Sequence, residues 1–205
     1  MTKIPLSFIL KRLHSITGFL PIAAFLIEHM ISNFYILRGP EAYNARIELL
    51  SNLPFVTFME IGLIALPILY HAGYGFYIVL TGKDNASWYP YRQNWFYSFQ
   101  RWTGILTFVY ILFHLYQTKG SEFLYGKEVN YARMAEIMHV PGFLWFYLIS
   151  VTAVMFHFAN GLWGVLIGWG AVTAPAGRRI AGWICGLAGL TLYVMGVSAL
   201  LTLAK

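Results

Sequence analysis

Long runs of apolar residues alternate with short polar segments along this chain of 205 residues. Five of the runs are long enough to cross the hydrocarbon core of a bilayer, which takes about 20 residues of α-helix. They predict helices over residues 13–37, 55–81, 95–116, 141–172 and 180–204. The segments between them contain turn-forming residues and leave little chain for a domain outside the membrane. The pattern therefore predicts an all-α, five-helix transmembrane bundle in which residues 1–205 form a single membrane domain.

The composition places the chain in the same class. Hydrophobic residues make up 59% of the sequence and charged residues 11%, and the mean hydropathy of +0.61 exceeds what a soluble core needs. Cys185 is the only cysteine, which excludes an internal disulfide, a cysteine-ligated iron–sulfur cluster and a covalently attached haem. The net charge is +6, but no basic cluster accompanies an aromatic platform. We therefore expect contact with membrane lipid and no nucleic-acid partner.

Basic residues near the ends of the predicted helices indicate the orientation in the membrane. With the N-terminus in the cytoplasm, eight lysines and arginines, Lys3 among them, fall on the cytoplasmic side and six on the other. Because basic residues are enriched in cytoplasmic segments, this excess favours a cytoplasmic N-terminus and an outside C-terminus.

Four histidines lie one apiece in four successive apolar runs, at intervals of 42, 43 and 43 residues: His29, His71, His114 and His157. An ionisable ring at membrane depth is costly, so a regular set of four predicts a strongly bound partner. Counted from the outer ends of their helices, His71 and His157 lie deeper than the other two by about 10 residues, or about 15 Å of helix rise. The spacing thus predicts an inner pair, His71 with His157, and an outer pair, His29 with His114.

Short local patterns support this pairing. Gly75 and Gly161 follow the two inner histidines by four residues each. That spacing puts glycine and histidine on one helix face, where a missing side chain leaves room for a flat macrocycle. The two outer histidines are each preceded by a Thr-Gly string, at residues 17–18 and 103–104. We therefore expect two similar cofactor pockets at two depths.

Imidazoles on facing helices can bind iron from both sides, and a haem with two protein ligands is suited to electron transfer. Two noncovalently held haem b groups are accordingly the predicted cofactors. The alternative is that each histidine is a buried residue hydrogen-bonded to a neighbouring helix, or a member of a proton relay. Zinc is less consistent with the pattern, because pairs about 15 Å apart cannot share one tetrahedral centre.

Four strings in the chain resemble the two-haem cytochrome b anchor of succinate dehydrogenase. They are RLHS at 12–15, LPILYHA at 66–72, QRWTGI at 100–105 and HFANGLW at 157–163. The similarity is to the single-polypeptide, five-helix anchor of bacterial succinate:quinone oxidoreductases and the related fumarate reductases. It extends through all five predicted helices, although the fifth carries no distinctive motif.

The resemblance implies a multi-pass protein of the bacterial cytoplasmic membrane that anchors a flavoprotein subunit and an iron–sulfur subunit on the cytoplasmic side. The dicarboxylate chemistry then takes place on those partners, and this chain is the quinone-reactive subunit. Electrons pass from the iron–sulfur subunit to the haem of the inner pair, then to the haem of the outer pair, and on to a quinone. Menaquinone is typical of this form of the family.

Quinone chemistry also needs protons, and two carboxylates, Glu28 and Glu60, lie within predicted helices. Glu60 is near the outer boundary, close in depth to His29, and is the predicted proton-transfer residue. Its alternative role is that of a hydrogen-bonded or snorkelling polar residue. Glu28 is next to His29 in sequence but points about 100° away on a helix.

Two further functions are compatible with the pattern of apolar runs and histidines. One is a stand-alone transmembrane di-haem reductase, such as a ferric reductase. The other is a haem-free polytopic transporter or structural bundle. A spectrum showing two b-type haems excludes the haem-free bundle, and co-purification with flavin and iron–sulfur subunits selects the respiratory anchor.

Overall fold

A computed structural model of the chain describes residues 4–205, and Lys3, one of the basic residues used to assign orientation, lies outside them. Every regular element in this range is a helix. The seven helices are α1 (Leu6–Arg38), α2 (Pro40–Ser51), α3 (Val56–Thr81), α4 (Arg92–Leu115), α5 (Tyr131–Met138), α6 (Pro141–Gly168) and α7 (Pro175–Leu203). The predicted all-α fold is confirmed.

Five of these helices correspond to the predicted spans. Four of them, α1, α3, α6 and α7, are long and apolar enough to cross a membrane. The remaining long helix, α4, has 24 residues, but Arg92 and Arg101 lie in its first half, so its continuous apolar stretch begins only at Trp102. Beyond Leu115 the helical path continues through a π-helical turn, Tyr116–Gly120, and a last segment, Ser121–Tyr125.

Three predicted helix boundaries differ from the structure by at least four residues. Helix α1 begins at Leu6 rather than at residue 13, because an apolar stretch continues the helix on the N-terminal side of Lys11. Helix α6 ends at Gly168 rather than at residue 172, since Gly170 turns the chain with a φ of 76°. Helix α7 begins at Pro175 rather than at residue 180, with proline in the first turn, where its missing N–H costs nothing.

The two outer segments predicted as loops contain helices α2 and α5. Helix α2 follows Gly39, whose φ of 96° suits glycine. Helix α5 is capped by Asn130, whose side-chain oxygen accepts from the Arg133 N–H. Both helices close the end of the bundle that is predicted to face outside, the outer end, with Tyr43 and Met138 exposed by only 2% and 1%. At 12 and 8 residues they are too short to appear as spans.

The long helices pack side by side, and neighbours in the chain run antiparallel. Helices α1, α3, α4 and α6 surround the histidines, and α7 packs outside against α6 and α1. A Cβ on Gly189 of α7 would lie 2.7 Å from Cβ of Ala159 on α6, so these two helices are in close backbone contact. The main apolar core extends from this contact to the outer end, through Met30, Val151 and Leu203.

Two arginines bind helix ends at the other end of the bundle, where α1 begins. Arg12 of α1 donates to the carbonyl oxygen of Gly168 at 2.5 Å, and Arg101 of α4 donates to the carbonyl oxygen of Ile78 at 3.1 Å. Carbonyls in the last turn of a helix lack a partner within that helix, and the one of Ile78 also accepts from the Gly82 N–H just beyond α3 at 2.9 Å. The arginines therefore fix the C-terminal ends of α6 and α3 to neighbouring helices.

Candidate cofactor site

Two pairs of histidine rings face each other between helices of the bundle. The ring centres of His29 on α1 and His114 on α4 are 5.8 Å apart. Those of His71 on α3 and His157 on α6 are 6.2 Å apart. The structure thus brings together the members of the outer pair and the members of the inner pair, and all four residues are half-buried.

The two pairs lie in separate layers. On α1, Gly18 contacts the ring of His71, and the 11 residues from Gly18 to His29 correspond to about 16 Å of helix rise. On α6, Tyr147 contacts His114, and the 10 residues from Tyr147 to His157 correspond to about 15 Å. Two different helices therefore give the same separation between the layers.

Backbone carbonyls orient both rings of the inner pair. Nδ1 of His71 is 2.9 Å from the carbonyl oxygen of His14, and Nδ1 of His157 is 3.0 Å from that of Gln100. A carbonyl only accepts, so Nδ1 of each ring donates its proton. In a neutral imidazole this leaves the lone pair of Nε2 available to a metal.

A glycine lies beside each of these hydrogen bonds. A Cβ on Gly18 would be 2.5 Å from Cε1 of His71, and a Cβ on Gly104 would be 2.9 Å from Cε1 of His157. The Thr-Gly strings noted ahead of the outer pair therefore contact the inner pair instead. This role was not predicted from the sequence, although the repetition of the strings signalled it.

A tyrosine and a glutamine stand behind the outer pair. The Tyr147 hydroxyl donates to Oε1 of Gln117 at 2.8 Å, and its oxygen lies 3.2 Å from Nδ1 of His114. Since the hydroxyl proton is directed at Gln117, the tyrosine oxygen accepts from Nδ1 of His114. Both residues are buried, so the hydrogen bonds are shielded from water. The sequence alone did not indicate this network.

The two glycines predicted to make room for a macrocycle face other side chains. A Cβ on Gly75 would meet Cε1 of His14 at 3.5 Å, and a Cβ on Gly161 would meet Nε2 of Gln100 at 3.2 Å. These glycines contact the same two residues whose carbonyls hold the inner rings. Their role beside a macrocycle remains a prediction.

His14 lies beside the inner pair. The spacing of the four histidines assigned it to neither pair, but its ring stacks on that of His71, with centres 4.1 Å apart and planes 11° from parallel. The difference follows from the early start of α1, which puts His14 more than two turns inside the helix. His14 thus contributes both a ring and a carbonyl to the surroundings of His71.

The two carboxylates have different surroundings. Oε1 of Glu60 is 3.8 Å from Nζ of Lys119, which follows His114 on the same helical path, and both charged side chains are about half-exposed. Glu28 pairs with Arg46 of α2 at 2.9 Å and accepts from the Ser32 hydroxyl. Glu28 therefore joins α2 to α1 through Ser32 and Arg46.

The segment between α3 and α4 is held by Asp84 and exposes aromatic rings. Asp84 accepts from the Ser98 hydroxyl at 2.6 Å and from the Ala86 N–H at 2.9 Å. These hydrogen bonds, of which the one from Ser98 has the larger effect, hold the pKa of the Asp84 carboxyl below its ordinary value. Trp88 and Tyr91 nearby are exposed by 83% and 67%. This surface lies at the end of the bundle predicted to face the cytoplasm.

The rings of each pair are spaced like two ligands of one metal. Two imidazoles bound to a metal from opposite sides, each at about 2 Å, have ring centres about 6 Å apart, which agrees with 5.8 and 6.2 Å. Among residues 4–205, no group of three or more histidine, cysteine or carboxylate side chains is placed to hold a metal ion. Two facing histidines are also the ligands that a protein supplies to a metal already held by a planar macrocycle.

Comparison with known proteins points to one family. The family described as succinate dehydrogenase/fumarate reductase transmembrane subunit matches residues 85–196, which include α4 and α6. The chain is also 39% identical to the succinate dehydrogenase cytochrome b558 subunit of Bacillus subtilis (strain 168). That alignment extends over 193 residues and covers 94% of this chain and 95% of the relative.

Proposed function

Because the chain belongs to the succinate dehydrogenase/fumarate reductase transmembrane subunit family, we propose that it anchors a succinate:quinone oxidoreductase and holds two haem b groups. The predicted family is confirmed by the matches. Beyond the family, we propose the number of haems, their ligands and the path of the electrons. The observation that carries it is the approach of two histidine pairs to ring distances of 5.8 and 6.2 Å in separate layers.

The path of the chain supports five membrane crossings. Helices α3 and α6, both able to span, run in the same direction, because each packs antiparallel to α4. The chain must therefore return across the membrane between them, and α4 is the helix that makes this connection. Its 24 residues give about 36 Å, enough for a crossing. With a cytoplasmic N-terminus, the C-terminus then lies outside.

The ligand assignment follows from the orientation of the rings. His71 and His157 hold the inner haem iron, because their Nδ1 protons point to carbonyls and leave Nε2 for the metal. His29 and His114 hold the outer haem iron, and Tyr147 orients His114 in the same way. Gly75 and Gly161 border the inner site. When bound, the two haems supply one-electron carriers at two depths of the membrane.

The partners are a flavoprotein subunit and an iron–sulfur subunit on the cytoplasmic side. The relative from Bacillus subtilis is by its name a subunit of succinate dehydrogenase. In this chain, the end of the bundle where α1 begins carries exposed rings such as Trp88 and the basic residues that favour the cytoplasm. Electrons enter at this end, near the inner pair, and leave near the outer pair.

Glu60 is the proposed proton-transfer residue at the quinone, for which menaquinone is the proposed species. The carboxylate lies near the outer end of α3, with Lys119 at 3.8 Å. Lys119 follows His114 by five residues, or about 8 Å of helix rise, which puts the carboxylate near the outer pair. A half-exposed carboxylate at this position can exchange protons with water and with a quinone oxygen.

Purification of the chain from cells that express the whole complex tests the proposal. We expect flavin and iron–sulfur subunits to co-purify, together with a reduced-minus-oxidised spectrum of two b-type haems per chain. A haem-containing chain that purifies without those subunits would favour a stand-alone reductase. A chain that is colourless after expression with ample haem would contradict haem binding altogether.

A further inference from the structure

We propose that Gly18 and Gly104 are positioning residues for the inner haem, because the missing side chains let His71 and His157 reach carbonyls of α1 and α4. The proposal rests on the proposed function, since it takes the inner pair as ligands of iron. It concerns the direction in which the two rings present Nε2, which the distance between the rings does not determine.

The same contact occurs twice in the chain. His71 and His157 each direct Nδ1 to the carbonyl of the residue 57 positions earlier. In both cases the glycine in contact with the ring follows that carbonyl by four residues. One copy is formed by α1 and α3, the other by α4 and α6. Two separate helix pairs thus place glycine, carbonyl and histidine in the same relation.

Because glycine has no side chain, the carbonyl four residues before it stays accessible to the histidine ring, although that carbonyl already accepts a hydrogen bond within its own helix. In α1 the carbonyl oxygen of His14 accepts from the Gly18 N–H and from Nδ1 of His71 at 2.9 Å. The Thr17 hydroxyl also approaches this oxygen, at 3.0 Å, but has the carbonyl oxygen of Leu13 as a second acceptor at 3.0 Å, so the two lone pairs serve the Gly18 N–H and Nδ1 of His71. The ring reaches the second lone pair by lying against the helix surface at residue 18. A Cβ there would occupy that position, 2.5 Å from Cε1.

A methyl group at either glycine should act on the ligand rather than on the fold. The atoms in the way belong to the end of a histidine side chain, which can rotate, and alanine is a better helix former than glycine. A rotated ring loses the hydrogen bond of Nδ1 and turns Nε2 away from its position. We therefore expect the bundle to remain folded and the inner haem to change.

The first experiment compares Gly18→Ala and Gly104→Ala with two matched controls, Gly73→Ala on α3 and Gly164→Ala on α6. A Cβ at either control position has no neighbour within 4 Å. Each variant is expressed in the full complex, and haem content, low-spin haem signals and midpoint potentials are measured. We expect complexes with Gly18→Ala or Gly104→Ala to contain about one haem per chain, or to show a shifted midpoint potential for the inner haem only. The outer haem and both controls should remain as in the wild type.

A second experiment tests the proposal if a glycine variant loses both haems. Gly18→Ala is introduced into a His71→Ala background, and the thermal midpoints of the complex are compared in a double-mutant cycle. Coupling between the two changes supports the proposal, because the added methyl then acts through the ring. Additive effects would overturn it, as would unchanged inner haem signals in both glycine variants. A wild-type complex without haem would instead refute the proposed function, which keeps the two failures distinct.

Discussion

At the scale of single residues, the account depends on where three imidazole protons point. Nδ1 of His71 and Nδ1 of His157 donate to carbonyls, and Nδ1 of His114 donates to a tyrosine oxygen. An acceptor at Nδ1 makes the opposite nitrogen a stronger metal ligand. The two inner acceptors are backbone atoms, whereas the outer one is a side chain that can be replaced.

Tyr147→Phe should raise the midpoint potential of the outer haem. Loss of the hydroxyl makes His114 a weaker electron donor to iron, which favours the reduced state. A hydrogen bond worth about 1 kcal/mol corresponds to about 40 mV for one electron. Redox titration of the complex measures this shift, and Tyr193→Phe on α7 is the control. An unchanged or lower potential, with haem retained, would show that Tyr147 does not act on the iron.

Glu60→Gln should lower quinone turnover about 100-fold or more, because general acid–base catalysis typically contributes about 10²–10⁴-fold. Both haem spectra should stay intact, because the carboxylate makes no contact with the pairs. Glu122→Gln is the matched control, since Glu122 is the other carboxylate near Lys119, at 3.5 Å. Turnover that is the same in Glu60→Gln and in the wild type would remove Glu60 from the proton path.

At the scale of elements, the fold depends on how closely the long helices approach. Helix α7 has no histidine and no motif, and its packing relies on small residues. Gly189 of α7 faces Ala159, and a Cβ on Gly189 would also lie 3.2 Å from the carbonyl oxygen of Met155. In a membrane, such close contact replaces the hydrophobic effect as the source of helix association.

Gly189→Val should therefore destabilise the bundle by about 1–3 kcal/mol, as other substitutions that overpack an interface do. Gly186→Val, one turn earlier on α7, is the control, because a Cβ there has no neighbour within 4 Å. Thermal unfolding in detergent measures the difference. Equal midpoints for the two variants would mean that α7 does not pack on α6 through Gly189.

The sequence predicted the long helices and the histidine pairs for a physical reason. Apolar runs determine where the long helices form, and counting residues from the helix ends gives the depth of each histidine in the membrane. His71 could therefore be paired with His157 before the structure was known. Helices α2 and α5 were missed because they are short and only partly apolar. Gly18 and Tyr147 were missed because contacts between helices depend on rotation about the helix axes, which depth does not determine.

At the scale of the whole molecule, the proposed electron path joins two layers about 15 Å apart, and electron transfer along it should be sensitive to the membrane potential. Helices α1 and α6 each give this separation along their own axes. An electron that crosses the full membrane changes energy by about 2.3 kcal/mol per 100 mV. With the cytoplasmic side negative, movement from the inner to the outer pair is favoured by the potential.

Quinone reduction by succinate in sealed vesicles should accordingly slow when an uncoupler dissipates the potential. The vesicles carry the complex with its flavoprotein subunit on the negative side, and turnover is followed with and without uncoupler. The complex in detergent, where no potential exists, is the control and should not respond. Insensitivity in the vesicles would remove the electrogenic path.

Replacement of each of the four histidines by alanine tests the central claim most directly. The account predicts that the substitutions fall into two classes by optical and low-spin haem signals. His71→Ala and His157→Ala should remove one haem, and His29→Ala and His114→Ala should remove the other. Any other grouping, or unchanged haem bands in any of the four variants, would contradict the assignment of two haems to these two pairs.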